Sequence, residues 1–281
     1  MQRGFEELFN IDGQSGRALM PYPHDPHHNP DIKAWEAISA AERIEKIKPI
    51  LNEVELATLQ ASIGAISGNT MQNTGFFDLL RWWALSGYSA AGVFEFTETY
   101  KIAAGQSSFA RIIFEEALAT GNLRYTFDTV ISTVEDSGTL VKATTLSETK
   151  WLAKRLVSTI PLNVLSQVQF NPPLPPKKLA ATQKGHINFG AKVHLEAEGS
   201  DLRSWSGAAW PSKRVFACHG DGLTNAGKNT HIVCFGSNNE FAHPREDCKE
   251  FAAEVKQLMP MQINKVVSWK REFPMHHRPC Y

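Results

Sequence analysis

A chain of 281 residues with 29 basic and 29 acidic side chains is long enough for one large domain or two small ones, and its balanced charge argues against a general polyanion-binding surface. Hydrophobic residues at 42% and charged residues at 21% are ordinary for a globular protein and exclude global disorder. No run of about eighteen apolar residues occurs, so no membrane-spanning helix is expected.

The opening Met1-Gln2-Arg3-Gly4-Phe5-Glu6-Glu7 has no apolar h-region. Residues 10–31, rich in Gly, Pro, Asp and His, read as a loop. Ser39 with Glu42 forms a capping box that opens a helix to about Ile47, and Pro49 forbids its continuation. Asn52 with Glu55 repeats the signal, and Leu56, Leu59, Ile63 and Ile66 give the second helix one apolar face. A third helix is expected over 75–86 and a fourth over 91–102. Gln106 to Thr120 follows, capped by Ser107 or Ser108, with Phe109, Ile112, Ile113 and Ala117 on one face and Gly121 at the left-handed end.

After Gly121 the period shifts to two. Short strands are expected at 123–127, 130–134 and 140–144, with Asp136-Ser137-Gly138 as a hairpin turn. Leu156 to Ile160 reads as a strand apolar on both faces, which is usual inside a sheet covered on both sides. It could also pair with the strands of 123–144 in a small independent sheet. A helix over 177–182, strands over 187–196, 215–218, 231–235 and 263–269, and an amphipathic helix over 244–258 complete the pattern. Helices come first and strands mixed with helices after, which predicts an α+β fold with helices packed on a mixed sheet.

Several local signals are weak. His24, His27 and His28 could bind a transition metal, but a loop with three prolines is the plainer explanation, and no metal is expected. His276-His277 is no stronger. Gly220 to Gly227 lacks both GxGxxG spacing and a GK[ST] ending, so a hairpin loop is expected. Cys218 and His219 must point to opposite faces of a strand, which makes them a poor catalytic pair. Cys218, Cys234, Cys248 and Cys280 show no CxxC spacing, a pattern that fits reduced thiols in a cytoplasmic protein.

Ordered blocks carry a resemblance. They are Phe77-Asp78-Leu79-Leu80-Arg81-Trp82-Trp83-Ala84-Leu85-Ser86-Gly87-Tyr88 and Gly105-Gln106-Ser107-Ser108-Phe109-Ala110-Arg111, then the stretch 153–175. Gly185-His186-Ile187-Asn188 with Lys192-Val193-His194 comes next, then Arg203-Ser204-Trp205-Ser206-Gly207 and His231-Ile232-Val233-Cys234-Phe235-Gly236. Together they resemble the flavin-containing monoamine oxidases, most closely the fungal type, over roughly residues 8–270. The family's glycine-rich dinucleotide unit, its acidic ribose-binding residue and its segment after the Trp269 strand have no counterpart here.

The resemblance implies the substrate-binding domain of the amine oxidase fold with a remnant of the FAD-binding domain. Residues 1–121 would be helical and 122–163 the remnant. Residues 164–270 would hold the mixed sheet, with 271–281 a divergent tail that suggests a truncated chain, inactive alone. It implies oxidative deamination of an amine with O2, giving an imine or aldehyde and H2O2, with FAD as cofactor.

The implied residues are Lys192, beside the flavin, and Val130, whose backbone would contact the adenine end. Ser62, Ala65, Phe94, Glu98, Asn188, Ser237 and Asn238 would line the channel. Each has a plainer alternative: a strand-edge lysine for Lys192, a core valine for Val130, a solvent-facing helix position for Glu98. The expected partner is a small amine, with no nucleic acid and no membrane; a homo-oligomer is allowed. The alternative function is a cofactor-free paralogue that binds a small metabolite or performs acid-base chemistry, for example in fungal secondary metabolism.

Overall fold

The computed structural model describes residues 1–185, 190–211, 215–224, 227–237, 248–259 and 266–272. By contact the chain divides into two units, Met1–Tyr100 with Asn188–Pro274, and Lys101–Ile187 with Met275–Tyr281. The architecture is α+β, as the order of elements predicts.

Helix α1 (Gln2–Phe9) buries Phe5, Leu8 and Phe9. The loop after it winds around Asp12, whose Oδ1 accepts from the backbone N–H of Gln14 and Gly16 and whose Oδ2 accepts from Ala18 and Leu19. Helix α2 (Ala40–Ile47) opens on the predicted capping box: Glu42 N–H donates to Ser39 Oγ, and the Glu42 carboxylate accepts from Ser39 N–H. A short turn through Pro49 ends it. Helix α3 (Glu53–Ser67) opens on the Asn52 and Glu55 box and buries Leu59 and Ile63, with Leu56 and Ile66 partly covered.

Helix α4 (Phe76–Leu85) carries Trp83 into the centre of this helical core. The Trp83 ring stacks on Phe9 at 4.9 Å and on Phe5 at 6.1 Å, and its Nε1–H donates to the Ser15 carbonyl at 3.0 Å. Helix α5 (Ala90–Phe94) widens into a π turn at Glu95–Thr99 and gives way to extended backbone at Tyr100, short of the expected Ile102. Thr97 Oγ1 donates to Val93 O at 2.7 Å, a side-chain bond to the preceding turn that accompanies the widening.

In the second unit, helix α6 (Gln106–Ala119) starts from Gly105 with no side-chain cap, so Ser107 and Ser108 lie inside the helix and not at its cap. Gly121 takes φ +70 just past its end, as expected. The residues of the expected strand 123–127 form none. Tyr125 and Phe127 instead gather around Phe114, with centroids 4.9 and 6.1 Å from it. Strands β1 (Ile131–Asp136), β2 (Val141–Thr145) and β3 (Lys150–Ala153) follow, then helix α7 (Leu162–Leu165), strand β4 (Gln169–Asn171) and helix α8 (Pro176–Lys184). The sheet order is β3-β2-β1-β4, antiparallel except for the parallel β1–β4 pair. Leu156 to Ile160 is not a strand: the run joins no ladder, and Val157 is 85% exposed.

Back in the first unit come β5 (Gly190–Ala197), β6 (Ser206–Ala208), β7 (Ala217–Leu223) and β8 (Thr230–Ser237), then α9 (Cys248–Leu258) and β9 (Val266–Glu272). They build a sheet of order β6-β7-β8-β5-β9 with antiparallel pairing throughout. The expected starts at 187, 244 and 263, and the His276-His277 pair, lie outside the described residues. One face of the sheet packs Val193, Leu195, Ala197, Cys218, Ile232 and Cys234 with Val255 and Met259. Helix α3 packs against β6, β7 and β8. There Gly64 allows close approach, since a Cβ on it would lie 3.0 Å from the Phe216 ring.

Candidate functional site

Alternation along β5 decides what the sheet presents. Ala191, Val193, Leu195 and Ala197 are buried, while Lys192 is exposed and His194 and Glu196 are half-buried on the opposite face. The register continues that face across the sheet: Phe235 stands opposite Lys192, Val233 opposite His194 and His231 opposite Glu196. On β7, His219 pairs with Val233.

The Lys192 ammonium stands 5.2 Å from the centroid of Phe235, a cation–π contact that positions a long side chain. Phe235 in turn stacks on His219, with centroids 5.7 Å apart. Beside them runs a chain of acid and imidazoles. Asp221 Oδ2 lies 3.1 Å from His231 Nδ1, and His231 Nε2 lies 2.9 Å from His194 Nδ1. The two imidazoles are parallel within 5° at 5.0 Å. Glu196 Oε1 accepts from Asn229 Nδ2 at 2.8 Å, and Asn229 Oδ1 accepts from Gly199 N–H, so the end of this face is tied to its loop.

The arrangement combines a cation, aromatic rings, carboxylates and titratable imidazoles on one side of a rigid sheet, a composition suited to a flat aromatic group and to proton transfer. The opposite face is inert by comparison. Cys218 and Cys234 are cross-strand partners in the core, and burial first, then the neighbouring Cys218 thiol, pushes the Cys234 thiol well above its ordinary range. Cys218 and His219 do point to opposite faces, as their adjacency predicts.

Ser62 is buried on α3 with its hydroxyl donating to the Thr58 carbonyl at 2.8 Å, and Ala65, one turn on, is half-buried. Phe94 ends α5, half-buried. Glu98 falls in the π turn, and its side chain lies outside the described residues. Asn188 and Asn238 lie outside them altogether. Ser237 closes β8 opposite Gly190, two positions along from the Phe235–Lys192 pair, and its side chain is also outside them. Val130 belongs to the other unit; it is 46% exposed, unlike a core valine, and its carbonyl accepts from Leu146 N–H at 3.0 Å.

The histidine-rich loop has other employment. His27 Nε2 bonds Glu36 Oε1 at 2.6 Å and its ring stacks on Phe77, while His28 bonds Asp25 and meets the edge of Tyr22. Among the described residues no group of histidines, cysteines and carboxylates has the geometry of a metal site.

Phe235, His194, His231 and Asp221 are the residues that sequence reasoning passed over. Period-two alternation from Lys192 points to His194, and the strand 231–235 supplies His231 and Phe235. Asp221 is different: it sits at the register shift between Gly220 and Leu223, which no sequence pattern announces.

The sequence model described as flavin containing amine oxidoreductase matches residues 72–270, which includes every member of this face. Among curated proteins, a pseudooxynicotine dehydrogenase from a Pseudomonas species is 22% identical over 250 residues, covering 86% of this chain and 47% of its own length. A nicotine dehydrogenase from Pseudomonas putida is 21% identical over 180 residues, 64% of this chain and 36% of its own. Among solved structures, a triple mutant of putrescine oxidase superposes with a TM-score of 0.73 at 15% identity, over 96% of this chain and 59% of that one. Cyclohexylamine oxidase from Brevibacterium oxydans gives 0.66 at 13% identity, over 93% of this chain and 60% of its own. The chain thus spans half or less of the curated relatives' length, and the structural likenesses establish the fold.

Proposed function

This chain belongs to the flavin containing amine oxidoreductase family, and from that premise we propose that it is the substrate-handling part of a flavin-dependent amine oxidase. The reaction is the oxidation of an amine by O2 to an imine, and on hydrolysis an aldehyde or ketone, with H2O2 as the second product. The observation that carries this reading is Lys192, exposed on a strand whose neighbours are buried and held over Phe235 on an aromatic, imidazole-bearing face.

FAD, when bound, supplies the two-electron acceptor and the passage of electrons to O2. The described residues fit one end of it. Lys192 and the rings of Phe235 and His219 suit the flat, electron-accepting isoalloxazine, whereas no glycine-rich strand–turn–helix that would cradle the pyrophosphate occurs among them. In this reading Lys192 holds a fixed positive charge where negative charge develops as oxygen is reduced. Val130 meets the adenine end through its backbone. Ser62, Ala65, Phe94 and Glu98, with Asn188, Ser237 and Asn238, line the amine's channel, and Glu98 attracts the incoming ammonium.

The relatives' names span a diamine, a cyclohexyl amine and nicotine-type amines, so the substrate class is a small alkyl or cyclic amine. The test is to load the protein with FAD, add putrescine, cyclohexylamine and nicotine in turn without air, and follow the visible flavin band. Bleaching by at least one amine, with peroxide released on admitting air, supports the reading. A protein whose loaded flavin none of these amines bleaches overturns it.

A further inference from the structure

A charge that assists a reaction has to stay in one place. A lysine side chain is a flexible four-carbon stem with a strongly hydrated ammonium at its tip, so an exposed one averages over many positions unless something holds it. Lys192 is exposed on β5. What holds its ammonium therefore decides whether the charge can act on a group laid against this face.

The holder on the neighbouring strand is a ring. Phe235 stands directly opposite Lys192 in the antiparallel β5–β8 pair, and the ammonium lies 5.2 Å from the ring centroid. The ring has little freedom of its own. It is half-buried and stacks on His219 of β7, with centroids 5.7 Å apart. The backbone carbonyl of Phe235 accepts from Phe216 N–H at 2.8 Å. Strand register fixes the contact, because residues directly opposite on paired strands bring their side chains together.

A ring and a carboxylate hold an ammonium with different consequences. A carboxylate cancels the charge it holds, so little of the field reaches a third group. An aromatic face attracts the cation through its quadrupole and carries no net charge. The positive charge then remains available where negative charge develops. We propose that Phe235 is a positioning residue that fixes the Lys192 ammonium at one point of this face without cancelling its charge, an inference that rests on the oxidase reading above. The rival holder by register is Glu272 of β9, which pairs with Lys192 from the other side of β5.

The first test needs no flavin. In proton NMR of the purified chain, the Lys192 signals are assigned by their loss in Lys192→Met. The ring current of Phe235 should place the Lys192 ε-methylene protons upfield of those of other lysines. Phe235→Leu should return them to the ordinary position, and Phe235→Tyr, which keeps the ring face, should not. Signals unshifted in the wild type, or moved by Glu272→Gln and not by Phe235→Leu, overturn the proposal whatever the activity.

In FAD-loaded protein mixed with an amine, Phe235→Leu should slow oxygen consumption about tenfold, and Phe235→Tyr should restore most of the rate. In a Lys192→Met background the same Phe235→Leu change should add no further loss. A loss of equal size without the lysine marks Phe235 as merely structural and overturns the proposal. If no amine bleaches the loaded flavin, the oxidase reading fails and the positioning role falls with it, even where the ring shift is present. An active oxidase whose lysine signals show no ring shift overturns the role of Phe235 alone.

Discussion

A Cβ on Gly220 would lie 1.8 Å from the carbonyl oxygen of Leu202. Gly220 N–H also donates to the Trp205 carbonyl at 2.7 Å, so the backbone of β7 is pinned against the 202–205 turn. The register shift that follows brings Asp221 to His231.

Replacing Gly220 by Ala forces one of two backbones to move. The expected cost is about 2 kcal/mol or more, in line with overpacking against main chain. Urea denaturation measures it, and a variant as stable as the wild type contradicts the packing described.

Asp12 organises the loop after α1. Burial raises its pKa, but the backbone N–H groups of Gln14, Gly16, Leu19 and Ala18 outweigh that, and the net shift is downward. A carboxyl depressed in the folded state contributes stability above its unfolded pKa and loses it as pH falls through the folded one. Asp12→Asn, whose amide group faces donors, should therefore cost about 1 kcal/mol at pH 7. That difference should shrink below the ordinary carboxylate range. Paired denaturation curves at neutral and acid pH check the sign.

Cys218 and Cys234 are 1% and 0% exposed, and burial holds the Cys234 thiol well above its usual range. Both should resist iodoacetamide in the native state and react at least about tenfold faster once the protein is unfolded. Peptide mapping after labelling reads this residue by residue, and native labelling of either would show that the sheet's core opens.

Local chemistry made much of this fold legible in advance. The boxes at Ser39–Glu42 and Asn52–Glu55 are satisfied within one turn of chain, so three residues suffice to read them. Alternation around Lys192 likewise reports which side of β5 is buried. Longer-range facts were not readable. The apolar run Leu156–Ile160 states a need for cover without naming the cover, and in the structure it joins no ladder. The same holds on α6, where Phe109, Ile112 and Ile113 share the predicted face yet are 47%, 52% and 52% exposed. The Asp221–His231–His194 chain depends on strand register and on one irregularity at Gly220, neither of which has a local signature.

The account stands most directly on Lys192. In FAD-loaded protein mixed with an amine substrate, rapid-mixing measurement of oxygen consumption should show Lys192→Met slower than wild type by about a hundredfold, the scale of losing one charge-stabilising group. Anaerobic bleaching of the flavin should stay close to wild type. Equal oxygen consumption by the two proteins would contradict the placement of this face against the flavin.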